Sequence, residues 1–206
     1  MKWFKLFTIA AALLLSLPAA AKDLVIYFSN PERPALPSGT DMVSSASKLL
    51  KNERQQGTTE YVARLIQKET GADIFRIEPS ASAGYPATYD ELLDFSRAKQ
   101  RRNARPPLKQ RLAGLEQYDR VFIGYPMWWY QMPMVVYTFL ESHDLSGKTI
   151  ITFDTHSGYR FRKDPKSEIE RIQPRAKRVV QGLSLRRSQV PNIEPEIKRW
   201  QPTLPR

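Results

Sequence analysis

Residues 120–133 read RVFIGYPMWWYQMP. The apolar first half is typical of a strand that is buried on both faces of a parallel sheet. Two adjacent tryptophans follow in a short loop, and Pro133 then favours the first turn of a helix. Because neighbouring side chains of extended chain point to opposite faces, one tryptophan can fill the core. The other is a candidate for contact with a ligand.

The same strand-to-helix pattern occurs five times along the chain. Apolar, β-rich segments predict strands at 23–29, 72–79, 118–126, 148–156 and 176–187. Helical periodicity and caps predict helices at 57–71, 89–103, 133–143, 163–174 and 192–200. This alternation predicts an α/β, three-layer, doubly wound sandwich with helices on both faces of a five-stranded parallel sheet.

Two segments do not fit the alternation. Residues 30–56 are rich in Pro, Ser and charge, which predicts a long inserted loop with at most one short helix around 44–52. The sequence QPTLPR at 201–206 predicts a loose tail. With no repeat and no linker, we expect a single domain over residues 22–206.

The N-terminus has the pattern of a secretory signal peptide. Lys2 and Lys5 precede an apolar run at residues 6–17, which is too short to span a bilayer as a mature helix. Small residues follow, and they place the cleavage site after Ala21. We therefore expect a periplasmic or secreted protein with residues 1–21 removed, and an uncleaved N-terminal anchor is the alternative.

Composition restricts the chemistry. The chain of 206 residues has a formal charge of +11 and no cysteine. Loss of the two signal lysines leaves +9, which favours contact with anions such as phosphate groups, acidic partners or an anionic membrane surface. Disulfides, thiolate catalysis and cysteine metal sites are excluded. The secretory signal argues against a nucleic-acid partner.

Three strand ends are candidates for a binding site, because ligands of open parallel sheets bind beyond the carboxyl ends of the strands. The first strand ends at Ser29, and after the insertion Gly57, Thr58 and Thr59 open a helix. A helix N-terminus with hydroxyl side chains is suited to a phosphate. The Gly-Thr-Thr sequence is also an ordinary helix cap, so both interpretations stay open.

The other two strand ends carry rings and polar donors. Residues 126–129 read PMWW, whose flat rings suit a planar heterocycle but also suit core packing. Residues 155–159 read THSGY, in which His156 is either a ligand-binding or a structural histidine. With two histidines in the chain, a histidine-rich metal site is not expected. Hydrolysis by a Ser/His/Asp set is weakly supported, since no serine lies in a nucleophile-elbow pattern.

At this point the sequence resembles the bacterial flavodoxin-like family. The segments that carry the resemblance are LVIYFS at 24–29, residues 57–79, residues 89–108 and residues 118–158. Together they cover most of residues 23–187. The resemblance implies a flavodoxin-like sheet with strand order 2-1-3-4-5 and a non-covalently bound FMN.

The resemblance also implies which residues hold this cofactor. Ser29, Gly57, Thr58 and Thr59 would bind the FMN phosphate. Two loops would bind the flavin ring, and their residues are Pro126, Met127, Trp128, Trp129, Thr155, His156, Ser157, Gly158 and Tyr159. Of the two tryptophans, we expect Trp128 on the cofactor side. Family phosphate loops follow the first strand directly, so the insertion here either covers the phosphate or displaces its site.

These features predict an FMN-binding redox protein of the cell envelope, either an electron carrier or a quinone-reductase-like enzyme. Its partner would be a redox protein or a quinone, and the resemblance also allows a homodimer. The alternative is a flavodoxin-fold protein that has lost FMN and serves as a basic binding module of the envelope.

Overall fold

A computed structural model describes residues 22–30, 48–51 and 54–205. Its strands are β1 (Asp23–Tyr27), β2 (Lys48–Lys51), β3 (Arg54–Gly57), β4 (Asp73–Arg76), β5 (Arg120–Pro126), β6 (Thr149–His156) and β7 (Arg178–Arg186). Its α-helices are α1 (Thr58–Thr70), α2 (Tyr89–Arg101), α3 (Met134–Ser142), α4 (Pro165–Ile172) and α5 (Glu194–Trp200).

The main sheet has five parallel strands in the order β4-β1-β5-β6-β7. Counted along the chain among these five strands, this is the predicted order 2-1-3-4-5, so the expected fold class is confirmed. Since all five strands run in one direction, their carboxyl ends lie at one edge of the sheet. The loops that leave this edge are the loops predicted to bind a ligand.

Two hydrophobic clusters cover the two faces of the sheet. Along β5, Val121 and Ile123 pack on the side of α3 and α4, whereas Phe122 packs on the side of α1 and α5. Burial on both faces explains why the strand is continuously apolar. Gly124 is required by close packing, because a Cβ atom there would lie 2.0 Å from the Phe153 ring.

The end of the inserted segment is a β-hairpin. Strands β2 and β3 pair antiparallel, with Leu49 opposite Gln56, and Gly57 ends β3 and caps α1. The expected loop, and a helix at 48–51, are therefore wrong for these residues. Leu49 is buried in the cluster under α1 and α5, and this tertiary contact decides the local structure. Residues 31–47 and 52–53 of the predicted insertion lie outside the described residues.

The C-terminal segment packs against the domain instead of forming the expected loose tail. Trp200 and Leu204 contact the cluster under α1 and α5, and the Trp200 ring lies edge-on to Phe122 with 6.0 Å between centroids. Arg120, which is paired with Asp23, also donates to the Pro205 carbonyl at 3.4 Å. Packing of Trp200 against the core explains why the C-terminal segment lies against the domain.

The predicted signal peptide at residues 1–21 lies outside the described residues. Among the helices that are described, none combines the length and the apolar character needed to cross a membrane.

Candidate functional site

The loops after β5 and β6 lie side by side. Pro126 is in register with Thr155, and the Met127 amide donates to the Thr155 carbonyl at 2.8 Å. The parallel ladder thus continues one residue past β5 and fixes the start of both loops. This places the two sequence segments that were predicted to hold a flavin ring against each other.

A cavity of about 300 Å³ opens between these loops and helix α2. We call it the ring cavity. Its lining residues are Tyr89, Leu92, Leu93, Ser96, Pro126, Met127, Trp128, Trp129, Tyr130, Thr155, His156, Ser157 and Tyr159. Eight of them belong to the residues predicted for ring binding, and Gly158 lies in the same loop. The structure therefore brings the predicted set together.

Five lining residues were not predicted. Tyr130 continues the aromatic run after Trp129, so its position in the sequence was an available signal. The other four, Tyr89, Leu92, Leu93 and Ser96, lie on α2. The sequence of a helix does not indicate which strand end the helix will cover, so these four residues could not be predicted to line the cavity.

The loop after β5 contains a tight turn in an uncommon conformation. Trp128 and Gln131 exchange backbone hydrogen bonds of 3.0 and 3.1 Å. The two residues between them, Trp129 and Tyr130, have φ values of 50° and 66°. Positive φ at both central positions defines a type I′ turn, which normally contains Asn or Gly. For bulky residues it costs roughly 1–2 kcal/mol each, so the surrounding contacts must hold the turn.

Contacts of the two tryptophans supply this support. Trp128 lies edge-on to Phe28, with 5.3 Å between ring centroids, and packs against the cluster under α3 and α4. The indole N–H of Trp129 donates to the Leu93 carbonyl at 3.1 Å and to Ser96 Oγ at 3.0 Å. One ring is thus fixed to the sheet and the other to α2, while both line the ring cavity.

His156 shapes the loop after β6. The Gly158 amide donates to His156 Nδ1 at 2.8 Å, so the neutral ring carries its proton on Nε2. Burial, followed by the charges of Arg186 and Arg187, lowers the pKa of His156. Gly158 has a φ of 103°, a backbone conformation that favours glycine. The loop therefore presents a neutral imidazole to the ring cavity.

The remaining predicted residues lie at two other places, Ser29 just after β1 and Gly57, Thr58 and Thr59 at the start of α1, and we call them together the polar end. Ser29 is 3% exposed, and its hydroxyl has no hydrogen-bond partner among the described residues. The first amides of α1 have no acceptor within the helix and carry partial positive charge. The polar end thus combines an unpartnered buried hydroxyl with a helix N-terminus.

Thr155 joins the polar end to the ring cavity. Its hydroxyl lies 2.8 Å from Thr59 Oγ1 and accepts from Thr58 Oγ1 at 3.4 Å, while the residue also lines the ring cavity. The α1 N-terminus therefore lies at the exit of β6 even though the insertion precedes it. A carboxylate in this first turn, Glu60, is paired with Arg64 at 2.9 Å.

A buried acid directly precedes Thr155 on β6. Asp154 is 4% exposed and accepts a hydrogen bond of 3.0 Å from Ser184 Oγ. Burial raises the pKa of Asp154 to about 7, although the Ser184 bond acts against the shift. Asp154 and His156 have different partners, Ser184 and the Gly158 amide, which gives no support to a hydrolytic pair.

Sequence comparison identifies the family. The profile of the family described as Flavodoxin matches residues 48–200, most of the chain. The chain belongs to the flavodoxin family. None of the curated proteins compared with this flavodoxin matches it significantly.

Solved structures agree with this assignment. A protein from Bacteroides uniformis described as a flavoprotein is similar at 26% identity and a TM-score of 0.64, over 89% of this chain and 99% of the other. A second such protein, from Bacteroides eggerthii, is similar at 25% identity and a TM-score of 0.57, over 88% and 96%. A Lactobacillus acidophilus flavoprotein in complex with FMN shares the fold at 17% identity and a TM-score of 0.55, over 88% and 99%.

Proposed function

We propose that this flavodoxin is an FMN-binding redox protein of the cell envelope, acting as an electron carrier or as a quinone-reductase-like oxidoreductase. The observation that carries the proposal is that Thr155 both lines the ring cavity and contacts the hydroxyls of Thr58 and Thr59 at the α1 N-terminus. The buried Ser29 hydroxyl at the end of β1, which has no partner among the described residues, adds a second unmet donor. A flavin mononucleotide has the matching parts, a planar heterocycle joined to a phosphate.

The polar end fits a phosphate. A buried hydroxyl without a partner is unfavourable by roughly 1–3 kcal/mol, and a phosphate oxygen would accept its hydrogen bond. The α1 amides offer further donors and the positive end of the helix dipole. In this proposal Ser29, Gly57, Thr58 and Thr59 hold the phosphate.

The ring cavity fits the flavin rings. Its volume of about 300 Å³ is at the lower limit of small-molecule sites. Trp128 and Trp129 offer aromatic faces, and Tyr159, which is 62% exposed, stands at the rim. The loop after β6 contributes the Ser157 hydroxyl and the Nε2–H of His156 as donors. These donors suit the polar edge of the flavin.

The division of labour follows from this arrangement. When bound, FMN supplies the electron transfer itself. The aromatic residues orient the ring and exclude water from it, and the hydrogen-bonded turn at 128–131 keeps them in place. His156 remains neutral because burial and the neighbouring arginines disfavour its charged form. The residues thus bind, orient and tune the cofactor.

Support for the envelope location comes from the sequence. The pattern of residues 1–21 is typical of a signal peptide for export, and the absence of cysteine in the chain suits that compartment. Because an exported protein has no ready supply of reduced nicotinamide nucleotides, electrons would come from a redox partner protein or a quinone.

The test is the visible absorption spectrum of the full chain, expressed with its leader and purified from the periplasm, before and after reduction. We expect a yellow protein, or a colourless one that takes up added FMN and is bleached by dithionite. A colourless protein that takes up no FMN would contradict the proposal. Salt-sensitive binding of that protein to anionic vesicles would then favour the basic binding module.

A further inference from the structure

Arg76 lies beside the polar end, at the end of β4. Side chains of a strand alternate between the two faces of a sheet. Ile74 packs with the cluster under α1 and α5, whereas Phe75 and Ile77 pack on the opposite face. Arg76 therefore lies on the α1 side of the sheet, the side on which Thr58 and Thr59 begin their helix.

Its guanidinium group is held against the exit of β1. Arg76 Nη2 donates to the Ser29 carbonyl at 3.0 Å. Arg76 Nε is buried and has no hydrogen-bond partner within the described part of the chain, and Arg76 takes part in no ion pair there. The guanidinium is thus positioned by one bond, and its buried N–H remains available to an acceptor.

The acids nearby have other cationic partners. Glu60 pairs with Arg64 at 2.9 Å, and Glu78 pairs with Lys109 at 3.0 Å. Burial and then Glu60 raise the pKa of Tyr27, while Arg76 and Arg64 lower it. The positive charge of Arg76 therefore acts on the α1 side of β1 without a carboxylate bound to it.

A second cavity, of about 270 Å³, is lined by both Ser29 and Arg76, and also by Glu78, whose carboxylate is paired with Lys109. Two buried donors without acceptors, Ser29 Oγ and Arg76 Nε, thus occur in neighbouring residues beside one open space. Arg76 is partly buried, but its buried Nε–H lacks an acceptor, and an anion that accepts this hydrogen bond would offset the cost. A bound phosphate accounts for both unmet donors together.

We propose that Arg76 supplies the positive charge that binds the phosphate of the flavin nucleotide. This inference rests on the proposed function and adds a residue to it. A phosphate monoester carries about −1.5 to −2 charges at pH 7, more than the half charge of a helix N-terminus can balance. Arg76 would therefore make the site select FMN over riboflavin, which has the same ring but no phosphate.

The experiment measures the dissociation constants of FMN and riboflavin, by flavin fluorescence, for the wild-type chain and three variants. Arg76→Gln should raise the dissociation constant of FMN roughly 10–100-fold. It should change that of riboflavin less than about threefold, because only FMN carries a phosphate for the Arg76 charge to bind. Arg76→Lys keeps the positive charge but loses the paired N–H donors of the guanidinium, so its FMN dissociation constant should lie between those of the wild type and Arg76→Gln. Arg178→Gln, an exposed residue of the far edge strand, should leave both constants unchanged.

A structural role for Arg76 predicts a different result. If Arg76 only supports the fold, each Arg76 variant should bind FMN and riboflavin more weakly by the same factor. That outcome, or an unchanged FMN constant in Arg76→Gln, would overturn the proposal. Thermal unfolding of each variant shows whether the protein folds, and the lysine variant serves if the glutamine variant does not.

A second arm separates this inference from the proposed function. If the wild-type chain binds no flavin, the proposed function fails, and inorganic phosphate then tests Arg76 directly by NMR. Phosphate should shift the amide signals of Gly57, Thr58 and Thr59 in the wild type. A phosphate dissociation constant at least tenfold higher in Arg76→Gln would support an anion site at Arg76. Equal shifts in both proteins, or no shift in the wild type, would rule it out.

Discussion

The ring cavity and the polar end are built in different ways. Two polar groups of the ring cavity have partners within the protein, since the indole N–H of Trp129 donates to α2 and His156 Nδ1 accepts from the Gly158 amide. At the polar end, Ser29 Oγ and Arg76 Nε have none among the described residues. Contacts within the protein therefore shape the ring cavity in advance, whereas Ser29 and Arg76 keep donors that a ligand could satisfy.

The largest expected effect concerns Asp154, the buried acid that precedes Thr155 on β6. Its raised folded-state pKa means that the folded protein binds this proton more tightly than the unfolded chain. Stability from this group is therefore lost as the pH rises from about 4 to about 7. Asp154→Asn has no group that titrates at this position and should not lose this stability. The free energy of unfolding of the variant minus that of the wild type should therefore be roughly 2–3 kcal/mol larger at pH 8 than at pH 5.

Urea unfolding of both proteins at the two pH values measures this difference. Asp94→Asn, at an exposed carboxylate on α2, is the matched control and should follow the wild type. A pH-independent difference between Asp154→Asn and wild type would show that the buried acid is ionised throughout.

The next effect concerns Trp128, whose ring contacts both the sheet and the cavity. Trp128→Leu should destabilise the fold by roughly 2 kcal/mol through lost packing on Phe28. It should also weaken binding of FMN and riboflavin by equal factors, because Trp128 lines the ring cavity and not the polar end. Trp200→Leu is the control, since it removes similar packing on Phe122, away from the cavity. A loss of FMN binding alone in Trp128→Leu would erase the distinction between the two ends.

The polar end predicts the opposite pattern for Ser29→Ala. This change removes a buried hydroxyl without a partner, so the free energy of unfolding should rise by roughly 1 kcal/mol. FMN affinity should fall about tenfold, while riboflavin affinity stays the same. Calorimetric titration with both flavins measures it. Clear destabilisation of the flavin-free protein would mean that the hydroxyl has a partner in the fold.

The smallest effect is that of Trp129→Phe, which keeps an aromatic ring but removes the N–H bonded to α2. The variant should lose about 1 kcal/mol of stability and keep FMN affinity within about threefold. Chemical unfolding and a FMN titration check both values. Trp200→Phe, on the far side of the sheet, is the control.

Much of the fold could be predicted because local and tertiary signals agree. Five apolar strands alternate with capped helices, and a parallel sheet is the arrangement that buries such strands. The loops after β5 and β6 were predictable as site loops for the same reason, since parallel strands place their carboxyl ends at one edge.

The remaining features depend on contacts that are distant in sequence. Leu49 is buried in the core, and its segment is a strand where a loop was expected. Trp200 holds the C-terminal segment against the domain where a loose tail was expected. The α2 wall and Arg76 gave no local signal, because the relation of Arg76 to Ser29 appears only once β4 pairs with β1.

Thr155 has a consequence for ligands made of two parts. Its backbone carbonyl holds one loop and its hydroxyl touches α1, so it works as a fixed spacer between two subsites. A molecule that carries ring and phosphate at the matching separation binds its second part without a further loss of translational freedom. Free riboflavin and inorganic phosphate, added together, would lack this chelate advantage.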